Sequence, residues 1–145
     1  ELTGDLIAPS GENLKGRDGG FAPEFSGNVA MIWERMLSES LTLRFSANLA
    51  YSDDYIVGGA SAKPFNPVTN PLGDLVQDSY TTVDLNLTLF SSDQKWRFSV
   101  IGVNVTDEQY LTFAGPAPFR PETGDDQLVG VARGRQVFAE LAYNF

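Results

Sequence analysis

The segment LTLRFSANLAYS, residues 41–52, alternates apolar and polar side chains at every second position. Leu41, Leu43, Phe45, Ala47, Leu49 and Tyr51 share one face, and Thr42, Arg44, Ser46, Asn48, Ala50 and Ser52 share the other, because successive strand side chains point to opposite sides. That is a β-strand with one apolar and one polar face. The same phase recurs in TTVDLNLTL at 81–89, which sets Val83, Leu85, Leu87 and Leu89 against Thr82, Asp84, Asn86 and Thr88. WRFSVIGVN at 96–104 sets Trp96, Phe98, Val100 and Gly102 against Arg97, Ser99, Ile101 and Val103, so its second half is apolar on both faces. The last run sets Val137, Ala139, Leu141, Tyr143 and Phe145 against Gln136, Phe138, Glu140, Ala142 and Asn144. The carboxy terminus itself reads as strand.

One segment reads two ways. Val29, Ile32, Trp33, Met36 and Leu37 have the spacing of an amphipathic helix. Period two instead puts Phe25, Val29, Met31 and Trp33 on one face and Ser26, Asn28, Ala30, Ile32 and Glu34 on the other. Strand is the expectation, since a four-residue link at 37–40 then joins it as a hairpin to the strand at 41. The links near 37–40 and 91–95 (SSDQK) are short, whereas 56–79 and 107–130 are long and hold most of the Gly and Pro. The opening ELTGDLIAPSGENLKGRDGG fits the end of one strand followed by another long Gly-rich loop. About five strands are expected, the first only partly present, with tight turns at one edge of the sheet and long loops at the other.

Composition narrows the function classes. A chain of 145 residues is at most one domain by the usual size prior. It has neither Cys nor His, so a disulfide framework, a thiolate or imidazole metal site, a cysteine nucleophile and a Ser-His triad are all excluded. An enzyme is not expected, nor is a cofactor. Ten Lys and Arg against nineteen Asp and Glu give a net charge of -9, which repels nucleic-acid phosphates. No apolar run reaches the roughly 18 residues of a membrane-spanning helix. The chain opens on Glu1 with no signal peptide, which reads as a missing natural beginning.

Alternation fits two kinds of sheet. A soluble antiparallel β-sandwich binding through its long loops buries the apolar faces between two sheets. A transmembrane barrel turns them to lipid, with short periplasmic turns, long external loops and aromatic residues near strand ends. Here Trp33, Tyr51, Tyr55, Tyr80, Phe90, Trp96, Tyr110, Tyr143 and Phe145 lie near strand ends. The alternating segments run about 9–12 residues, the length a tilted strand needs to cross a bilayer. The smallest closed barrels need about eight strands, so this chain is expected to be a piece of a larger one.

Four segments, in order, carry a family resemblance. APEFSGN at 22–28 is similar to A-P-x-[WF]-[ST]-x-N leading into a descending strand, and QDSYTTVDLNLTL at 77–89 to Y-x-x-x-D-x-x-L. WRFSVIGVNVTDEQYL at 96–111 is similar to W-x-[LF]-x-[LV]-x-[GV]-x-N-[LIV]-[FT]-[DN]-x-x-Y, and RGRQVFAELAYNF at 133–145 to a G-R followed by a last strand ending in an aromatic. Together they resemble the carboxy-terminal part of the β-barrel of a TonB-dependent outer-membrane receptor, over essentially the whole chain. The matched positions are Pro23, Asn28, Asp84, Trp96, Asn104, Asp107, Tyr110 and Arg135.

The resemblance implies an all-β fold, an antiparallel transmembrane β-barrel segment incomplete by itself, in the outer membrane of a Gram-negative cell. It implies energy-coupled uptake of a scarce nutrient such as an iron-siderophore, vitamin B12 or an oligosaccharide, with the plug and TonB-contacting segment lying upstream of these residues. Val137, Ala139, Leu141, Tyr143 and Phe145 then resemble the signal read by the outer-membrane assembly machinery, through pairing of a terminal strand. Val83, Leu85, Leu87, Leu43 and Phe45 would face lipid, and Arg44, Asn48, Asp84, Asn86 and Glu140 the lumen. The stretches 9–24, 56–79 and 107–130 would face outside.

Remaining candidates have plainer readings. Asp53-Asp54 and Asp125-Asp126 offer hard oxygen ligands for calcium but lack the spacing of a calcium loop, and read as solvated loop. No carboxylate pair is fixed at a working separation for glycosidase chemistry. Asn104, Asp107 and Tyr110 mark a strand exit where Asn and Asp shape turns through nearby backbone. Arg133 and Arg135 are candidates for binding an anionic substrate group, although for Arg135 pairing with a lumenal or rim carboxylate is the expectation. Phe65, Phe113 and Phe119, set among Pro64, Pro67, Pro71, Pro116, Pro118 and Pro121, are candidate ligand contacts, with the ligand unnamed.

Overall fold

Each alternating segment forms a strand, and no helix occurs among the described residues. The computed structural model describes Ile7 and residues 22–58, 75–116 and 127–145. Its strands are β1 (Ser26–Ser38), β2 (Leu41–Ser52), β3 (Tyr55–Gly58), β4 (Leu75–Gln77), β5 (Tyr80–Ser91), β6 (Trp96–Val103), β7 (Leu111–Pro116), β8 (Gln127–Val131) and β9 (Gln136–Tyr143). The chain divides into two compact units, one of Phe25–Ser52, Tyr80–Gln109 and Arg133–Phe145, the other of Glu1–Glu24, Asp53–Ser79 and Tyr110–Ala132.

The first unit is a five-stranded antiparallel sheet in the order β1-β2-β5-β6-β9. Long strands that follow one another in the chain are neighbours in space, so the sheet is an up-and-down meander. The ambiguous segment is β1, a strand of thirteen residues. Its link to β2 is Glu39 and Ser40 alone rather than the four residues 37–40, because a register shift between Met36 and Ser38 carries pairing to the turn. The second tight link is likewise shortened to 92–95. The terminal strand stops at Tyr143, two residues short of the expected end. Beyond it the Asn144 amide still donates to the Lys95 carbonyl at 2.7 Å. The Ser92 amide donates to the Ser40 carbonyl at 3.1 Å, so both tight turns lie at one end.

Register converts the separate alternations into two continuous faces. Paired residues stand on the same side of an antiparallel sheet. On one side the rows are Arg35–Leu43–Leu89–Phe98–Leu141, then Trp33–Phe45–Leu87–Val100–Ala139, Met31–Ala47–Leu85–Gly102–Val137, and Val29–Leu49–Val83. The opposite side carries Glu34–Arg44–Thr88–Ser99–Glu140 and Ile32–Ser46–Asn86–Ile101–Phe138. It is polar in the main, with an apolar admixture from β1, β6 and β9. Among the described residues the outer edges of β1 and β9 have no ladder partner.

In the second unit the long connections are not bare loops, as the sequence suggests. β3 pairs with β4 and β7 with β8, two short hairpins whose strands are too brief to show a period. Gln77 Oε1 accepts from the Leu111 amide at 2.6 Å, and Tyr55 Oη donates to the Leu111 carbonyl at 3.3 Å. Val57 and Ala114, the buried apolar residues among those described, lie in these hairpins. Of the opening segment expected to hold the end of a strand, only Ile7, an exposed β-bridge residue, is among the described residues.

Gly102 marks the tightest approach in the sheet, since a Cβ there would lie 2.6 Å from Val105 Cγ1. Gly102→Ala is therefore expected to destabilise the fold by about 1–3 kcal/mol through overpacking. Adding Val105→Ala should restore most of that loss, as read from denaturant midpoints followed by tryptophan fluorescence.

Candidate functional site

Four of the resembling motif positions, Asp84, Asn104, Asp107 and Arg135, converge at the loop end of the sheet. Asn104 leaves β6 with φ 49°, a left-handed conformation that Asn tolerates better than most residues. Its backbone amide donates to Asp84 Oδ1 on β5 at 2.9 Å, and the next amide, of Val105, donates to the Val83 carbonyl at 2.8 Å. Its side-chain amide is spent on the backbone as well. Nδ2 donates to the carbonyls of Glu108 at 2.8 Å and Arg133 at 3.2 Å, while Oδ1 accepts from the Glu108 amide at 3.0 Å. Asn104 is 5% exposed, so those bonds replace water for a buried polar group.

Asp107 completes the assembly. Its φ is 59°, its amide donates to the Asn104 carbonyl at 2.9 Å, and its Oδ1 accepts from the Arg135 amide at 2.8 Å. Gly134 permits that approach, because a Cβ there would lie 2.9 Å from the same oxygen. Asp84, Asn104, Asp107 and the Gly134–Arg135 backbone thus form one hydrogen-bonded knot across the loop-side ends of β5, β6 and β9. Its chemistry is structural. The reading of Arg135 is corrected: its backbone amide meets the carboxylate, and its guanidinium forms no ion pair among the described residues. Arg133 contributes its carbonyl.

Among the other expected positions, Pro23 is half-buried ahead of β1, and Asn28, on the polar face, donates through Nδ2 to Asn48 Oδ1 at 3.3 Å. Trp96 opens β6 opposite Tyr143 on the apolar face, and Tyr110 lies in the second unit, where its carbonyl accepts from the Ala132 amide at 2.8 Å. Val137, Ala139, Leu141 and Tyr143 line the apolar face of edge strand β9. Phe145 is fully exposed beyond the strand, its ring edge-on to Tyr143 at 5.2 Å. Asp53 is half-buried, while Asp54 and Phe113 are exposed. Asp125, Asp126, Phe65, Phe119, Pro64, Pro67, Pro71, Pro118 and Pro121 lie outside the described residues. Among the described residues no three acidic side chains gather as metal ligands.

The sequence missed a ladder on the polar face. Arg44 donates to Glu34 at 2.8 Å and lies over the Phe90 ring at 5.2 Å, and Arg97 pairs with Glu140 at 2.6 Å. Between them the Thr88 and Ser99 hydroxyls share a bond of 3.0 Å. Residues 10 and 43 positions apart meet here only through register. A hollow of about 260 Å³ opens between Arg44, Phe90 and Arg97. Each arginine brings its own carboxylate, so the charge balances locally. At the tight-turn end Asp93 Oδ1 accepts from the Ser91 hydroxyl at 2.6 Å and the Lys95 amide at 3.2 Å, and Gln94 has φ 55°. These bonds, that from Ser91 foremost, hold the Asp93 carboxyl below its ordinary pKa.

Asn104→Ala should cost about 1–3 kcal/mol from the orphaned backbone groups. The alanine also occupies the left-handed region, so Asn104→Gly should be less damaging by about 1 kcal/mol, measured by chemical unfolding. Because the Asp93 pKa is lowered in the fold, its stabilising contribution is present above the ordinary aspartate range and fades as pH falls through the lowered value. Ser91→Ala should move the midpoint of the Asp93 carboxyl-carbon NMR titration upward. Comparison with family models, curated proteins and solved structures finds no match to this chain, so its functional reading rests on its own residues and geometry.

Proposed function

We propose that this chain forms part of the wall of a transmembrane β-barrel, that of a TonB-dependent receptor in a Gram-negative outer membrane. Inverted polarity carries the reading. On the inner strands β2, β5 and β6, Leu49, Leu87, Phe98 and Val100 of the apolar face are 40–46% exposed, whereas Thr42, Thr88 and Ser99 of the polar face are 4–7% exposed. Water penalises that arrangement, while a bilayer outside and a polar lumen inside reward it. Strands of twelve and thirteen residues, at about 3.4 Å per residue, match the path of a strand tilted across roughly 30 Å of hydrocarbon. The outer edges of β1 and β9, unpartnered among the described residues, call for further strands to close the sheet. A soluble sandwich would need a second layer over the apolar face, and no observation favours it.

In this reading the tight turns are periplasmic and the hairpin-bearing connections face outside, where a scarce nutrient of the iron-siderophore, vitamin B12 or oligosaccharide class first binds. The clustering of Asp84, Asn104, Asp107 and Arg135, drawn from three separate motifs, supports the resemblance. β9, an edge strand with a regular apolar face, suits strand addition to the barrel assembly machinery. Coupling to TonB belongs to plug regions upstream of the resembling segments. Purification of the chain with and without detergent tests the proposal. It should stay dispersed with β-type circular dichroism only in micelles or bilayers; a detergent-free monomer that unfolds cooperatively would overturn the barrel in favour of the sandwich.

A further inference from the structure

The apolar face holds one charged strand residue among those described. Among the described residues Arg35, on β1, is flanked on its face by Trp33 and shares its row with Leu43, Leu89, Phe98 and Leu141. It forms no hydrogen bond or ion pair among them. Its two counterparts on the opposite face, Arg44 and Arg97, each have a carboxylate partner, and adjacent Glu34 is turned away toward Arg44 at 2.8 Å. A lone guanidinium on a surface that meets lipid is costly at the bilayer midplane and nearly free at its boundary. Its level is therefore informative. Arg35 lies three residues before the end of β1, at the tight-turn end, about 10 Å from the turn along the strand.

A second observation marks the same level. The Trp96–Tyr143 pair stands one row beyond Phe98–Leu141, toward the same end of the sheet. Such amphipathic rings favour the headgroup region. We propose that Arg35 binds the phosphate of a phospholipid headgroup in the leaflet on the tight-turn side and so fixes the depth of the sheet in the bilayer. Its aliphatic stem lies along the apolar rows, and its planar fork donates two bonds to phosphate oxygens. The proposal rests on the lipid-facing reading of this face.

The chain has two tryptophans, so Trp96→Phe leaves Trp33, two positions from Arg35, as the sole reporter. The protein is refolded into phosphatidylglycerol–phosphatidylcholine vesicles whose acyl chains carry bromine at graded depths. With Arg35 present, Trp33 should be quenched most by shallow bromines. Arg35→Leu should shift the maximum deeper by about 6–7 Å, the spacing of one row, and Arg35→Lys should keep it shallow. An unchanged depth in Arg35→Leu would overturn the anchor. Dephasing of an arginine Cζ signal by lipid phosphorus, lost in Arg35→Gln, is expected in the solid-state NMR spectrum, and its absence would overturn the headgroup contact. Trp33 unquenched at every depth in the parent would instead sink the lipid-facing reading itself.

Discussion

Antiparallel register between β2 and β5 is the constraint on which the rest of the sheet depends. Twelve consecutive pairs, from Leu41↔Ser91 to Ser52↔Tyr80, lock two alternating strands in phase. A slip of one residue would put Asp84 and Asn86 among leucines and turn Leu85 and Leu87 toward Arg44. β1 and β6 inherit that phase on either side, and β9 receives it from β6. The uniform apolar face is thus a collective property. No single strand possesses it.

The two ends of the sheet solve different problems. At the tight-turn end the strands reverse within a few residues, held by Asp93 and by the bonds of Ser92 and Asn144 to neighbouring turns. At the loop end β6 must release the chain into a long excursion and β9 must take it back. Asn104 spans that gap by bonding both Glu108, just after the exit, and Arg133, just before the return. Two left-handed residues, Asn104 and Asp107, are tolerated there because side-chain bonds to backbone offset their conformational cost.

Strand identity was legible because period two needs only neighbours in sequence. The helix-like spacing of Val29, Ile32, Trp33 and Met36 misleads only in isolation. Pairing with β2 settles it, since the same residues then fill the ladder from Ser26↔Ser52 to Met36↔Thr42. What depends on partners was not legible. Glu34 and Arg44 meet through a turn whose bulge lies in no pattern of residue types, and Arg97 meets Glu140 only because β9 returns to β6. Asn104 declared its turn-shaping role by residue type, but not its reach to a carbonyl 29 positions away. Arg135 misled because its guanidinium drew attention that its amide deserved. The hairpins β3–β4 and β7–β8 escaped because strands of three to six residues within Gly- and Pro-rich sequence carry too few alternations to count.

The closed base of the excursion after β6 has an evolutionary consequence. Since Asn104 and Asp107 tie its two stems to each other, the entropy of closing that excursion depends only weakly on the residues inserted between them. Insertions, deletions and wholesale replacement from 109 to 132 then leave the pairing of β6 with β9 intact. The sequence between the stems is free to diverge at that end while the frame is inherited unchanged.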